Sequence, residues 1–316
     1  MRLPQAEEKH DDGDGDGVLA SGVELRRVSA PVVKAASAAV VLCQSASGGW
    51  ASGVSVGPGI VLTVSHLFPP AAPDASGELP TAAVRYGDGT WARARAMYVA
   101  GYPFNGGRED ADDSLPPLDV AVLVLEDTPP PPARTTLAPC TEHVGPGTPV
   151  AVVGHPLFGP SVQLAPTVSM GVITRTIPMD DDDSAAMLQT SAAVHAGSSG
   201  GAVVDAQGRL VALMTSNATH TRGGTLPHLN FAIPVASLLL PAWRAAVAHR
   251  KGDVRQRTAQ LAQLAGHGPA ESRVKAARRI WASLQPGQKA PPAGGDPTGG
   301  APGGAKFRAF LNRSRL

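Results

Sequence analysis

The chain has 316 residues, with 27 Lys and Arg against 26 Asp and Glu, for a formal net charge of +1. That length can bury a real core, as one large domain or two small ones, and the near-neutral balance argues against a dedicated nucleic-acid binder. With 36 glycines, 30 prolines and only 4% aromatic residues, the composition suits many short strands joined by turns, plus some unstructured sequence.

Residues 1–27 read as a disordered acidic tail. The opening MRLPQAEEKHDDGDGDG lacks the basic-then-apolar order of a secretory signal. Its DDGDGDG run lacks the length and the closing Glu of a calcium loop. No stretch of about 20 residues is apolar enough to span a bilayer. With two cysteines, Cys43 and Cys140, the expectation is an intracellular protein with reduced thiols, not a Cys43–Cys140 disulfide. No zinc-type Cys/His spacing occurs, so neither a metal nor a cofactor is implied.

From 28 to 240 the text is short apolar runs separated by Gly, Pro, Asp and Asn. AAVVLC, WASGVSV, GIVLTVS, AAVRYG, ARAMYVA and DVAVLVLE come first; TPVAVVG, VSMGVITRTI, AMLQTS, GAVVDAQGRLVALMTS and LNFAIPV follow. Most have strand length and β-branched content. The lack of βαβ alternation argues against a parallel sheet. PPPPAR at 129–134 reads as a linker between halves. The class is therefore all-β, as two packed antiparallel units at about 28–128 and about 146–240. The MDDDDSA run, Met179 to Ala185, reads as an exposed hairpin loop.

The pattern then turns helical: 241–285 reads as a helical extension that includes AESRVKAARRIWASL. Its basic amphipathic character fits a calmodulin target, but it fits better a helix packing Val274, Ile280, Trp281 and Leu284 on the β units. Residues 286–316 read as a flexible linker and tail.

One stretch carries chemistry: HAGSSGGAVVDAQGRLVALMTS, residues 195–216. A serine hydroxyl becomes a nucleophile only with an adjacent base, itself oriented by a carboxylate. It also needs N–H groups aimed at the developing oxyanion. A Gly-x-Ser-Gly-Gly turn permits that geometry, with the N–H groups of Gly197 and Ser199 converging. Upstream, VLTVSHLF places His66 at the end of an apolar strand, and LDVAVLVLE places Asp119 at the start of another. Each piece alone is weak. His, Asp and Ser in that order, in strand contexts spanning both halves, form a strong signal. His155 and His195 are competing bases in the wrong context, and read as structural or near substrate.

With these motifs the chain resembles the chymotrypsin-fold serine proteases, and more closely their Deg/HtrA-like branch. The resemblance implies two six-stranded antiparallel barrels. It also implies Ser199 as nucleophile, His66 as general base and then acid, Asp119 holding the imidazole, and the Gly197 and Ser199 N–H groups as the oxyanion hole. Ser198 stands where secreted trypsin-like enzymes carry an Asp that pairs with a newly cut N-terminus, so activation by such a cut is not expected. Pocket positions carry over to Ala193 as the floor and to Thr215, Ser216 and Asn217 as the wall. With no acid at Ala193, a small or apolar P1 residue is expected.

GHPLFGPSVQLAPTVSMGVIT, LQTSAAVHAGSSGGAV and LPHLNFAIPV resemble the peroxisomal and glyoxysomal processing proteases. This implies, as substrates, matrix protein precursors carrying N-terminal presequences. Family members are typically longer, with a degenerate N-terminal region that this sequence lacks. Ser314, Arg315 and Leu316 form a close variant of the Ser-Lys-Leu peroxisomal address. They point to an import receptor as partner and to the peroxisomal matrix. Neither a nucleic-acid partner nor a membrane span is expected, and self-association is left open. Two other functions fit the same residues: a Deg/HtrA-like quality-control protease, and an inactive protease-fold module that binds without cutting.

Overall fold

A computed structural model describes residues 27–68, 80–99, 119–126, 135–162, 164–179, 184–219, 225–239 and 308–310. The acidic tail, the PPPPAR linker, the helical extension at 241–285 and Ser314–Leu316 lie outside the described residues.

The first element among the described residues is a helix, α1 (Ala30–Ala39), which the strand-like sequence pattern does not predict. The Val- and Ala-rich text APVVKAASAA resembles a strand, but Pro sits in its first turn, where no N–H is needed and φ is preset for helix. Ala36 and Ala39 are its buried contacts, and their small side chains let it lie close to the sheet.

Six strands follow: β1 (Val40–Ser45), β2 (Trp50–Gly57), β3 (Ile60–Thr63), β4 (Thr81–Arg85), β5 (Trp91–Val99) and β6 (Ala121–Leu125). They close antiparallel in the order β1-β2-β3-β6-β5-β4, with β4 returning to β1. The second set is β7 (Pro149–Gly154), β8 (Thr167–Pro178), β9 (Ala185–Thr190), β10 (Ala202–Asp205), β11 (Leu210–Thr219) and β12 (Thr225–Pro234). Its order is β10-β7-β8-β9-β12-β11, and a β10–β11 pairing closes it. The architecture is thus two six-stranded antiparallel barrels, as expected. The acidic run at 180–183 joins β8 to β9, which pair as a hairpin.

Beyond the expected set is β13 (Arg308–Phe310), which adds to β11 as an outer strand. A short helical turn, Val235–Leu239, follows β12 directly.

Strand alternation sorts the core. On β7, Ala151 and Val153 belong to an apolar cluster shared with Val54, Leu62 and Leu123 of the first barrel. Val150 and Val152, on the other face, join a second cluster with Ile173, Leu188, Val211 and Met214. Each fully buried Leu or Ile contributes about 2–3 kcal/mol of transfer free energy. Cys43 and Cys140 are free and buried, and burial pushes the Cys43 thiol up to about 12.

Gly53 marks where β1, β2 and β3 approach most tightly: a Cβ there would lie 2.6 Å from Cys43 Sγ and 2.8 Å from Val61 Cγ1. Gly53→Ala is therefore expected to overpack the first barrel and destabilise the fold by about 1–3 kcal/mol. A urea unfolding midpoint lowered at unchanged m-value checks this.

Candidate active site

The site lies between the barrels, and each contributes part of it. Strand β3 ends at Thr63, and the chain enters a tight turn, Ser65–Leu67, that carries His66. Asp119 stands just before β6, the neighbour of β3, so the pairing of these strands brings two residues 53 apart in sequence into contact. His66 Nδ1 is 2.7 Å from Asp119 Oδ2, and the His66 N–H donates to Oδ1 at 3.0 Å.

Asp119 is 4% exposed and accepts two further bonds. Ser65 Oγ donates to Oδ1 at 3.0 Å, and Thr215 Oγ1, from the second barrel, donates to Oδ2 at 2.6 Å. Burial works against the charge of Asp119, but the His66 charge and the bonds from His66 and Thr215 outweigh it and hold the carboxyl below its ordinary range. For His66, burial disfavours the imidazolium, and the Asp119 charge and hydrogen bond prevail, so its pKa is raised. The ionised Asp119 fixes the tautomer: Nδ1 carries the proton, leaving Nε2 as the acceptor that faces away from the carboxylate.

Ser199 sits on the turn before β10. Its Oγ donates to the Thr215 carbonyl at 2.9 Å; no hydrogen bond joins it to His66 in this structure. Thr215 therefore touches both Asp119, through its hydroxyl, and Ser199, through its carbonyl. The sequence reading had placed it only in a pocket wall.

The turn preceding Ser199 is built for exposed amides. Gly197 has φ +91°, and a Cβ there would lie 2.2 Å from the Trp50 ring and 2.5 Å from the His155 carbonyl. Only glycine fits both the angle and the space. Ser198 N donates to the His195 carbonyl at 3.0 Å, and His195 N to Ser198 Oγ at 3.3 Å. Ser198 thus braces the turn from within, needing no ion pair. The Gly197 carbonyl accepts Ser52 Oγ at 2.6 Å and Ser52 N at 3.1 Å; the Ser199 carbonyl accepts Ser52 N at 2.8 Å. The Ala196 carbonyl accepts the Leu157 N–H at 2.7 Å. With these carbonyls turned away and engaged, the N–H groups of Gly197 and Ser199 have no acceptor among the described residues.

Two residues here went unnoticed in the sequence. Ser52, on β2, also receives the His155 N–H through its Oγ at 2.8 Å. Asn230, 2% exposed on β12, donates from Nδ2 to the Ala192 carbonyl at 2.6 Å. A polar residue inside the apolar run LNFAIPV was the available signal for Asn230; Ser52 offered none.

Ala193 is exposed, between buried Ala192 and Val194. Ser216 and Asn217 pair along the backbone with Phe231 and Asn230, so Asn230 bridges the segment carrying Ala193 and the strand carrying Thr215–Asn217. His155 is buried, and burial, then the nearby Arg85, pushes its pKa down to about 4. His195 is exposed in the turn. Among these three histidines, only His66 has its ring hydrogen-bonded to a carboxylate.

The family model for the trypsin-like peptidase domain matches residues 51–213, a span that includes His66, Asp119 and Ser199. The chain belongs to the trypsin-like peptidase family. Within it, the chain is 33% identical over 233 residues to a peroxisomal leader peptide-processing protease of Mus musculus, covering 70% of this chain and 34% of that protein. It is 31% identical over 264 residues to the Homo sapiens protein of the same name, covering 81% and 39%. The chain thus spans well under half the length of these two relatives. A serine protease Do-like HtrA of Lactobacillus helveticus is 33% identical over 98 residues, 30% of this chain. Among solved structures, the HtrA-type protease AlgW with a tripeptide aligns at TM-score 0.51 and 22% identity, over 69% of this chain and 63% of that one; this likeness concerns the fold.

NMR titration of His66 is expected to give a midpoint above the 6.5 of an unperturbed histidine. In Asp119→Asn the burial remains while the compensating charge is lost, so the midpoint is expected to drop below 6.5. An unchanged midpoint would remove Asp119 as the source of the shift.

Proposed function

We propose that the chain is a serine endopeptidase that removes N-terminal targeting presequences from imported matrix proteins in the peroxisome. The observation that carries the catalytic part is the 2.7 Å contact between His66 Nδ1 and a buried, fully hydrogen-bonded Asp119, with Thr215 linking that carboxylate to Ser199. Ser199 Oγ leaves the Thr215 carbonyl, turns to His66 Nε2 and attacks the scissile carbonyl carbon as Nε2 takes its proton. The resulting oxyanion is held by the N–H groups of Gly197 and Ser199. His66 then donates its proton to the leaving amine, and a water, deprotonated by His66, hydrolyses the acyl-enzyme. Asp119 stays ionised throughout and stabilises the imidazolium.

The presequence reading rests on the relatives from mouse and human, on the small Ala193 in the expected S1 floor, and on Ser314, Arg315 and Leu316 as the ligand of an import receptor. The alignment with HtrA-type proteins supports a second reading, a quality-control protease that cuts unfolded chains.

Purified protein and Ser199→Ala are incubated with a presequence-bearing peroxisomal matrix precursor and, separately, with unfolded casein. Precursor processing by the wild type alone is the expected outcome. Casein cleavage without precursor processing turns the reading to quality control. A folded protein that cuts neither turns the reading to a binding module, or to a chain that needs the N-terminal region of its longer relatives in order to cut. In the active chain, Ala193→Asp is expected to move P1 preference toward Arg and Lys; no shift would take Ala193 out of the pocket.

A further inference from the structure

Strand β11 has two long edges. One is paired with β12 from Ala212 to Thr219. The opposite edge is shared among three partners in order along the strand. β10 comes first, with Val203 opposite Ala212 and Ala202 opposite Leu213. The turn holding Ser199 comes next: Met214 N donates to the Gly201 carbonyl at 2.9 Å, Gly200 N donates to the Met214 carbonyl at 2.7 Å, and Ser199 Oγ donates to the Thr215 carbonyl. Beyond Thr215 the chain of β10 has turned away. There β13 takes the ladder, with Asn217 opposite Phe310, Ala218 opposite Ala309 and Thr219 opposite Arg308.

The pairing is antiparallel, so β13 travels toward Ser199. It reaches the position opposite Asn217, two residues from the carbonyl that holds the Ser199 hydroxyl. At about 3.4 Å per residue, that is about 7 Å along the strand. An extended peptide that presents a bond to Ser199 needs a backbone edge leading to it, and this stretch of β11 is such an edge. An edge accommodates one added strand at a time, since each N–H and C=O directed outward meets a single neighbouring chain.

Building on the assignment of Ser199 as the reacting group, we infer that Arg308–Phe310 occupies the peptide-binding edge of the site, making this segment of the chain an intramolecular competitor of substrate. An extended peptide binds only in the fraction of molecules whose edge is free, so its apparent affinity is reduced by that fraction. The chain is a self-restrained protease, relieved when something else draws the segment off.

The test uses the full chain in a Ser199→Ala background, so that no probe is cut. The probe is a fluorescein-labelled peptide of residues 305–312, Ala-Lys-Phe-Arg-Ala-Phe-Leu-Asn, followed by anisotropy. Ala309→Pro and Phe310→Pro are compared with the parent. Adjacent residues of a strand point their N–H groups to opposite sides, so one of the two prolines removes a ladder donor. That variant is expected to bind the probe about fivefold or more tightly than the parent, with an unchanged unfolding midpoint. Equal affinities in all three chains, or no binding by any, would overturn the inference. Labelling of Ser199 in the wild type by a small alkyl fluorophosphonate, which needs no strand edge, judges the catalytic reading separately. Its failure beside tighter probe binding removes the catalytic consequence and leaves the strand displacement standing.

Discussion

The carboxylate of Asp119 is buried at 4% exposure, and a buried charge of that kind is tolerated only when its lone pairs are met by good donors. Four donors meet it, two on each oxygen. Three belong to the Ser65–His66 turn of the first barrel; the fourth is Thr215 of the second. The barrels are thus joined through a charge that neither could bury alone. Satisfying that charge fixes the turn carrying His66, the ring orientation within it, and the position of Thr215 beside Ser199. Charge-assisted bonds are about twice as strong as neutral ones, so the catalytic geometry and the docking of the barrels draw on one set of interactions.

Ser52 makes the complementary connection. Its peptide N–H and hydroxyl hold the carbonyls of Gly197 and Ser199, and its own carbonyl accepts Thr63 Oγ1 at 2.7 Å. A Cβ at Gly200, with φ +81°, would come within 2.0 Å of that Ser52 carbonyl, so the turn approaches β2 as closely as backbones allow. Carbonyls engaged from behind leave the amides of Gly197 and Ser199 facing outward. The first barrel therefore supplies more than His66 and Asp119: through Ser52 it sets the backbone direction of a turn that belongs to the second. The pKa directions of His66 and Asp119 follow from the same enclosure, because burial alone would push both groups toward neutrality, and their mutual charge together with the hydrogen bonds around the carboxylate reverses it.

The strands of both barrels were readable because their signal is local. β-branched runs such as VVLC, IVLT and AVVD carry their own period and are bounded by turn residues. Helix α1 was not readable, because VVKAASAA carries β-branched residues and its helical state is settled by a proline at the start and by close packing of Ala36 and Ala39. His66, Asp119 and Ser199 stood out because chemistry demands those residue types in that order. Ser52, Thr215 and Asn230 are ordinary polar residues in strands. Their roles come from partners 145, 96 and 38 positions away; a local window can flag Asn230 as a polar residue in an apolar run, but it cannot name its partner or those of Ser52 and Thr215. The segment 308–310 was read as part of a flexible tail, since three residues in Gly-rich surroundings show no period; their strand state comes wholly from the edge of β11.

That edge explains why the second barrel differs from the first. A fully closed barrel offers no free strand, and the first barrel is closed along β1–β4 and all its other pairs. The second is closed by β10 only from Leu210 to Leu213, with further pairing stopped where the chain loops out to present Ser199. Presenting a serine and opening an edge are consequences of one event, the departure of the Ser199 turn from β11. A register break in β11 between Met214 and Ser216 lies at the same point and re-aims the strand beyond it. Ser199 and the backbone that would align a peptide with it are therefore coupled by the sheet itself. Any strand seated beyond Thr215, whether substrate or Arg308–Phe310, is set in register with Ser199 by the hydrogen-bond ladder before any side chain is read.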